Sequence, residues 1–119
     1  MSNIPTSQQK TPSSEELDEI IYKIANKLKE LQDRQKIYSI LPNLREALLM
    51  RYIYAPNVVD DVLVIYNTTP FAKENREFNE LLTKLLQILK DVMPSLPIQS
   101  QIRLIDYIER TIENLALNN

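Results

Sequence analysis

The chain of 119 residues contains no glycine, and this constrains its fold more than any residue it does contain. Hairpins of the favoured turn types need backbone at positive φ, which glycine adopts without steric cost. The usual left-handed cap at the end of a helix needs the same freedom, and Asn can take only some of those positions. What remains open to such a chain is a set of helices joined by Pro, Asn and Ser.

The absence reaches into chemistry as well. Gly-rich phosphate loops and the dinucleotide fingerprint require backbone with no Cβ close to phosphate. The chain also lacks Cys and His, which removes the thiolate nucleophile, the disulfide and the commonest general base and metal ligand together. We therefore expect no catalytic residue, no cofactor, no metal and no small-molecule substrate. Hydrophobic residues at 44% and charged residues at 25% nevertheless match a globular domain. At this length roughly two-thirds of the unfolded surface can be buried without staples. No apolar run reaches the length of a membrane span, and the N-terminal MSNIPTSQQKTPSS has no hydrophobic segment. The expectation is an intracellular protein, cytoplasmic or nuclear, with no membrane partner.

Residues 1–13 are rich in Ser, Thr, Gln and Pro and read as a disordered tail, with residues 14–119 forming one all-α bundle of four to five helices. Thr11-Pro12 in that tail is a pattern that proline-directed kinases use, though such pairs are common in tails. A first helix is expected from Ser13 or Ser14, because Ser13 and Glu16 fit a capping box. Leu17, Ile21, Ile24, Leu28 and Leu31 follow at heptad spacing, with acidic residues crowding the first turns and Lys27, Lys29, Arg34 and Lys36 toward the end. Such a stripe packs either on the domain's own core or on a partner helix.

Pro42 suits a first helical position, so a second helix is expected from there to about Tyr54, where Pro56 stops it. The segment that follows, NVVDDVLVIYNTTP, has the β-branched and aromatic content of a strand, but no other segment reads as its partner. A short helix from Val58 to about Tyr66, capped by Asn57, is the expectation, and an edge strand that pairs with another molecule is the alternative. The longest helical pattern runs from Glu74 to Met93 and carries two apolar rows, Phe78, Leu81, Leu85, Ile88 and Val92 beside Leu82, Leu86, Leu89 and Met93. It reads as the centre of the bundle. Pro94 and Pro97 force a corner, and a last helix from about Ile98 to Leu117 carries Ile98, Ile102, Ile105, Ile108, Ile112 and Leu115 on one face.

Clusters of like residues have ordinary explanations. Asp60-Asp61 belongs at a helix start, and Glu74, Glu77 and Glu80 read as solvated surface, since a di-iron bundle would need His. The charge pattern is more informative. Net charge is only −2, yet residues 23–51 hold seven Lys and Arg against three acids, a local +4 that runs into Arg51-Tyr52-Ile53-Tyr54. Aromatics beside arginine anchor protein interfaces and also stack on bases. With a sequence pI near 5.2, a protein partner is favoured over nucleic acid.

The expected function is accordingly a non-enzymatic interaction module, an assembly subunit or adaptor that binds a protein partner or its own copies. The candidate contact residues are Leu17, Ile21, Ile24, Leu28, Leu31, Tyr52 and Tyr54. A nucleic-acid-associated helical subunit using the basic and aromatic region 23–54, with Arg45, Arg51, Tyr52 and Tyr54, is the alternative.

Overall fold

The computed structural model describes residues 12–118, all of whose regular elements are helical. Helix α1 spans Pro12–Lys29, α2 Arg34–Leu49, α3 Asp61–Asn67, α4 Phe71–Glu74, α5 Arg76–Val92 and α6 Ile98–Leu117. A π-helical turn, Met50–Tyr54, extends α2, and a 3₁₀ turn, Met93–Ser95, follows α5. The all-α expectation holds, and the alternative of an edge strand at 58–66 is replaced by helix α3. Most of the expected tail, with Thr11, lies outside the described residues, and α1 already begins at Pro12, a residue suited to a first helical position.

The helices are arranged along α1. α5 and α6 do not cover one another; both pack along α1, and α6 also packs along α2. The pairing contacts give the directions. Lys27 in α1 meets Glu77 near the start of α5, so these two run antiparallel. Arg34 Nη1 donates to the Leu117 carbonyl at 3.4 Å, and Arg45 meets Asp106 eleven residues further along α2, so α2 and α6 also run antiparallel. Tyr107 donates to Asp18 early in α1 while the end of α6 lies by Arg34, just past the end of α1, so α1 and α6 run parallel.

Helix α1 therefore sits in the middle, and its stripe is interior. Leu17, Ile20, Ile21, Ile24, Ala25 and Leu28 are all buried, with Ile24 and Leu28 at 0% exposure, and Leu31 packs half-buried on the same core. Burying a side chain of this size contributes about 1.5–3 kcal/mol relative to leaving it in water. On α5 the buried set is Phe78, Leu82, Leu85, Leu86 and Leu89. Leu81, Ile88 and Val92 fall at its edges and are only half-buried. From α6 come Ile105, Ile108, Ile112, Ala116 and Leu117. Ile98, expected on that face, is instead exposed in the first turn.

Several boundaries differ from the pattern in the sequence, each for a local reason. α1 stops at Lys29, and the reversal runs through Gln32 at φ 51, a left-handed position taken here without glycine. Asp33 then caps α2 by accepting from the Lys36 amide at 3.1 Å, which places Arg34 and Lys36 at the start of α2 rather than at the end of α1. α2 accordingly begins eight residues before Pro42, which lies inside it. An internal proline removes a backbone hydrogen bond and costs about 3 kcal/mol. Ile37, Ile40 and Leu41 before it and Leu44, Ala47 and Leu48 after it are buried, and that burial outweighs the cost.

Asp60, not Asn57, caps α3, accepting from the Leu63 amide at 2.9 Å. The long pattern at 74–93 breaks at Asn75, whose extended backbone and side-chain bond to the Phe78 amide at 3.0 Å start α5 afresh. Between α5 and α6, Leu96 is extended ahead of Pro97, and Gln101 Nε2 closes the corner on the Met93 carbonyl at 2.9 Å.

Candidate functional site

The residues singled out from the sequence separate into three environments. Leu17, Ile21, Ile24 and Leu28 lie inside the fold, and Leu31 packs at its margin, so the α1 stripe leaves the candidate interaction surface. Its physical reason is the position of α1 between two helices, which leaves that face nothing outside the chain to meet.

Arg45 and Arg51 are occupied. Arg45 donates through Nε and Nη2 to Asp106 at 3.0 and 2.8 Å, with Glu109 3.3 Å from Nε. The hydrogen bond that Arg45 donates to Asp106 raises the Arg45 pKa and ties the guanidinium to α6. Burial pushes the Glu109 carboxyl up in spite of the nearby guanidinium. Arg51 donates to Asp61 at 3.1 Å and lies 4.8 Å over the ring of Tyr52. A phosphate would have to displace a carboxylate from each arginine, and only then form the contact that a nucleic-acid binder needs.

Tyr52 and Tyr54 face different surroundings. The π-helical turn holds Tyr52 half-buried on the core, its hydroxyl 3.5 Å from the Leu86 carbonyl, and burial pushes its pKa up to about 12. Tyr54, two residues on, is exposed. Its exposed ring is available to a partner, whereas Tyr52 joins the turn to α5.

Tyr54 has company that the sequence pattern did not indicate. Among the described residues nine large hydrophobic side chains are exposed, and five of them, Tyr54, Val58, Val62, Leu63 and Tyr66, fall within thirteen consecutive positions. On α3 the inward side is Val64, which is buried, with Ile65 and Thr68 beside it. The opposite side then carries Val62, Leu63 and Tyr66, because residues three and four apart share a helix face. Val58 is 77% exposed in the preceding loop and Val62 69% exposed. Thr68 satisfies its own hydroxyl on the Val64 carbonyl at 2.7 Å, so the inward side has no unpaired polar group. At the far end Lys73 sits 3.5 Å over the Tyr66 ring, and its hydrogen bond lowers the Tyr66 pKa. The signal was present in the run VVDDVLVIY, whose apolar residues exceed what a seven-residue helix can turn inward.

The surface of the described residues also carries two clefts. One of about 450 Å³ lies between α1 and α5 and is lined by Glu16, Glu19, Ile20, Lys23, Lys84, Gln87, Ile88 and Asp91. Its charges are of both signs, and Lys23 already pairs with Glu19 at 3.3 Å. A smaller one of about 250 Å³ separates α2 from the end of α3, between Asn43, Glu46, Ala47, Met50 and Asn67. Among the described residues no group of three or more acidic residues is placed to hold a metal ion, and no helix is long and apolar enough to cross a membrane. No family model, no curated protein and no solved structure matches the chain.

Proposed function

We propose that the protein is a non-enzymatic, intracellular interaction module, a small assembly subunit or adaptor, and that it binds a protein partner through Tyr54, the 55–60 loop and the outer side of α3. The observation that carries this reading is the concentration of exposed Tyr54, Val58, Val62, Leu63 and Tyr66 in one segment. Contiguous apolar surface on a folded domain is expensive to leave in water and marks binding sites when it is found. Tyrosine supplies large contact area at small entropic cost, and the aliphatic residues around it exclude water. The apolar α1 stripe no longer competes for this role, and the two arginines of the nucleic-acid alternative are held by carboxylates of the same chain.

The test is a tagged chain of all 119 residues used to capture partners from its native cell, compared with Val62→Asp combined with Leu63→Asp. Both positions are exposed, so the variant is expected to stay folded, with each change shifting stability by no more than about 0.5 kcal/mol. Loss of the captured proteins by a folded variant is the expected result. An unchanged set of captured proteins would remove α3 from the interface.

A further inference from the structure

The larger cleft is built from one spacing used twice. Glu16, Ile20 and Lys23 line it from α1 and Lys84, Ile88 and Asp91 from α5, each set at i, i+4 and i+7 on one side of its helix. Seven residues at 1.5 Å per residue make each set about 10.5 Å long. Because α1 and α5 run antiparallel, Asp91 lies toward the Glu16 end of the cleft and Lys84 toward the Lys23 end. The cleft is therefore acidic at one end and basic at the other, with Ile20 buried and Ile88 half-buried along its floor.

These charges are open to a partner from outside. Glu16, Lys84 and Asp91 are exposed and form no ion pair with a described residue. Lys23 pairs with Glu19 at 3.3 Å, but both side chains are more than half exposed, and a pair of this kind adds little that a partner would have to replace. Elsewhere the helices are tied by their own side chains: Lys27 meets Glu77 beyond this cleft, Arg45 meets Asp106 between α2 and α6, and Tyr107 meets Asp18 between α6 and α1. Among the described residues that line the cleft, no ion pair crosses from α1 to α5.

We infer that the cleft receives an amphipathic helix of a partner protein, with a basic residue at the Glu16 and Asp91 end, two apolar residues against Ile20 and Ile88, and an acidic residue at the Lys23 and Lys84 end. On such a helix these residues stand at i, at i+3 and i+4, and at i+7, which repeats the spacing of the cleft itself. A groove of about 450 Å³ between two helices takes the side-chain ridge of a third. A helix face of one sign would meet like charge at one end, so the two ends select a partner of mixed sign. The cleft shares no residue with the outer side of α3, so the inference goes beyond that reading and gives the chain a second docking surface. Two turns of helix bury far less than the ~1,600 Å² of a standard interface, which places the affinity on the order of 1 mM.

Titration of the isotope-labelled chain of all 119 residues with an Ala-based helical peptide, followed by backbone amide NMR shifts, reads the result. The probe is about 20 residues long, enough to be helical alone, and carries Lys, then Leu three and four positions later, then Glu seven positions later. Shifts are expected to gather at residues 16–23 and 84–91, and binding is expected to weaken in about 0.5 M salt, because exposed charge pairs are screened. Probes with Lys at both charged positions, or Glu at both, are expected to bind about threefold more weakly or worse. Lys84→Glu, an exposed change, is expected to reverse that order, so that the probe with two Lys binds better than the mixed one. A damaged fold would not produce such an exchange of preference. An absence of shifts up to about 5 mM probe, shifts gathered outside the cleft, equal binding of the three probes, or an unchanged order in Lys84→Glu would each overturn the inference. The α3 reading fails separately: Val62→Asp with Leu63→Asp is expected to bind the mixed probe as the wild type does, and partner capture alone decides that reading.

Discussion

Helices α1 and α3 make opposite use of their apolar residues. α1 carries a regular heptad stripe of the kind that joins separate chains, and all but the last residue of that stripe is buried within its own fold. α3 has no regular stripe and was ambiguous between helix and strand, yet Val62, Leu63 and Tyr66 stand in solvent. Periodicity shows that a helix has an apolar face. It does not show whether the chain itself covers that face, because coverage depends on which other helices reach it. α1 is reached by both α5 and α6, whereas α3 is seven residues long and has room to turn only Val64 and its neighbours inward.

The sharpest way to break this comparison is to put charge on each surface in turn. Ile24→Lys with Leu28→Lys would bury two amines at positions of 0% exposure, each costing several kcal/mol against the about 5–15 kcal/mol of a typical domain's stability. The variant is expected to be unfolded by circular dichroism. Val62→Lys with Leu63→Lys is expected to give the wild-type spectrum and midpoint. A folded α1 variant would mean that its stripe faces outward after all.

A smaller effect separates the core from its margin on a single helix. Leu85→Ala on α5 leaves a cavity at a fully buried position and should cost about 2–5 kcal/mol, while Leu81→Ala at the half-buried edge should cost clearly less. Chemical denaturation of the two variants checks the order. Equal losses would place Leu81 as deep as Leu85.

The fold class was legible because no glycine and two long amphipathic patterns leave few alternatives to a helical bundle. The corner at Pro94 and Pro97 and the range Ile98–Leu117 were legible for a local reason, since proline cannot continue a helix. What the pattern misplaced was also proline-related. Pro42 looks like a helix start, but Asp33 supplies a cap nine residues earlier, and buried side chains on both sides carry the helix through. The candidate site was half legible. Tyr54 is legible from its place beside Arg51, whereas Val58, Val62, Leu63 and Tyr66 fit a short helix or an edge strand, and neither pattern says which of them faces out. Only the packing of α3 on α2 and α5 decides which side of it remains open.

Gln32 tests the missing glycine directly, at a size near 1 kcal/mol. A residue with a Cβ at left-handed φ is disfavoured by about 1–2 kcal/mol, and glycine is not. Gln32→Gly should therefore raise stability by up to about 1 kcal/mol, after allowance for the greater freedom glycine gives the unfolded chain. Asn67→Gly in α3 gives the contrast, because a helical position gains nothing from glycine and loses a few tenths of a kcal/mol or more. A stabilised Asn67→Gly or a destabilised Gln32→Gly in thermal melts would reverse the assignment.

The finest comparison is between two tyrosines, one on each side of the boundary between core and surface. Burial raises Tyr52, with Arg51 opposing and Asp61 adding to the shift, to about 12 from an ordinary value of 10.0. The hydrogen bond from Lys73 lowers Tyr66. A spectrophotometric titration of the phenols should show Tyr66→Phe removing an early component and Tyr52→Phe a late one. The sign for stability follows from which state holds the proton. Above pH 10 the unfolded chain ionises at position 52 before the folded chain does, so the folded state binds more protons there and stability falls as pH rises. The loss should run from about pH 10 to about 12 and stop once both states are ionised. Tyr52→Phe, which has no proton to lose, should flatten the pH dependence of the denaturation midpoint across that window. If the slope is unchanged, Tyr52 is as exposed as Tyr54, and the π-helical turn does not divide the core from the surface that α3 presents.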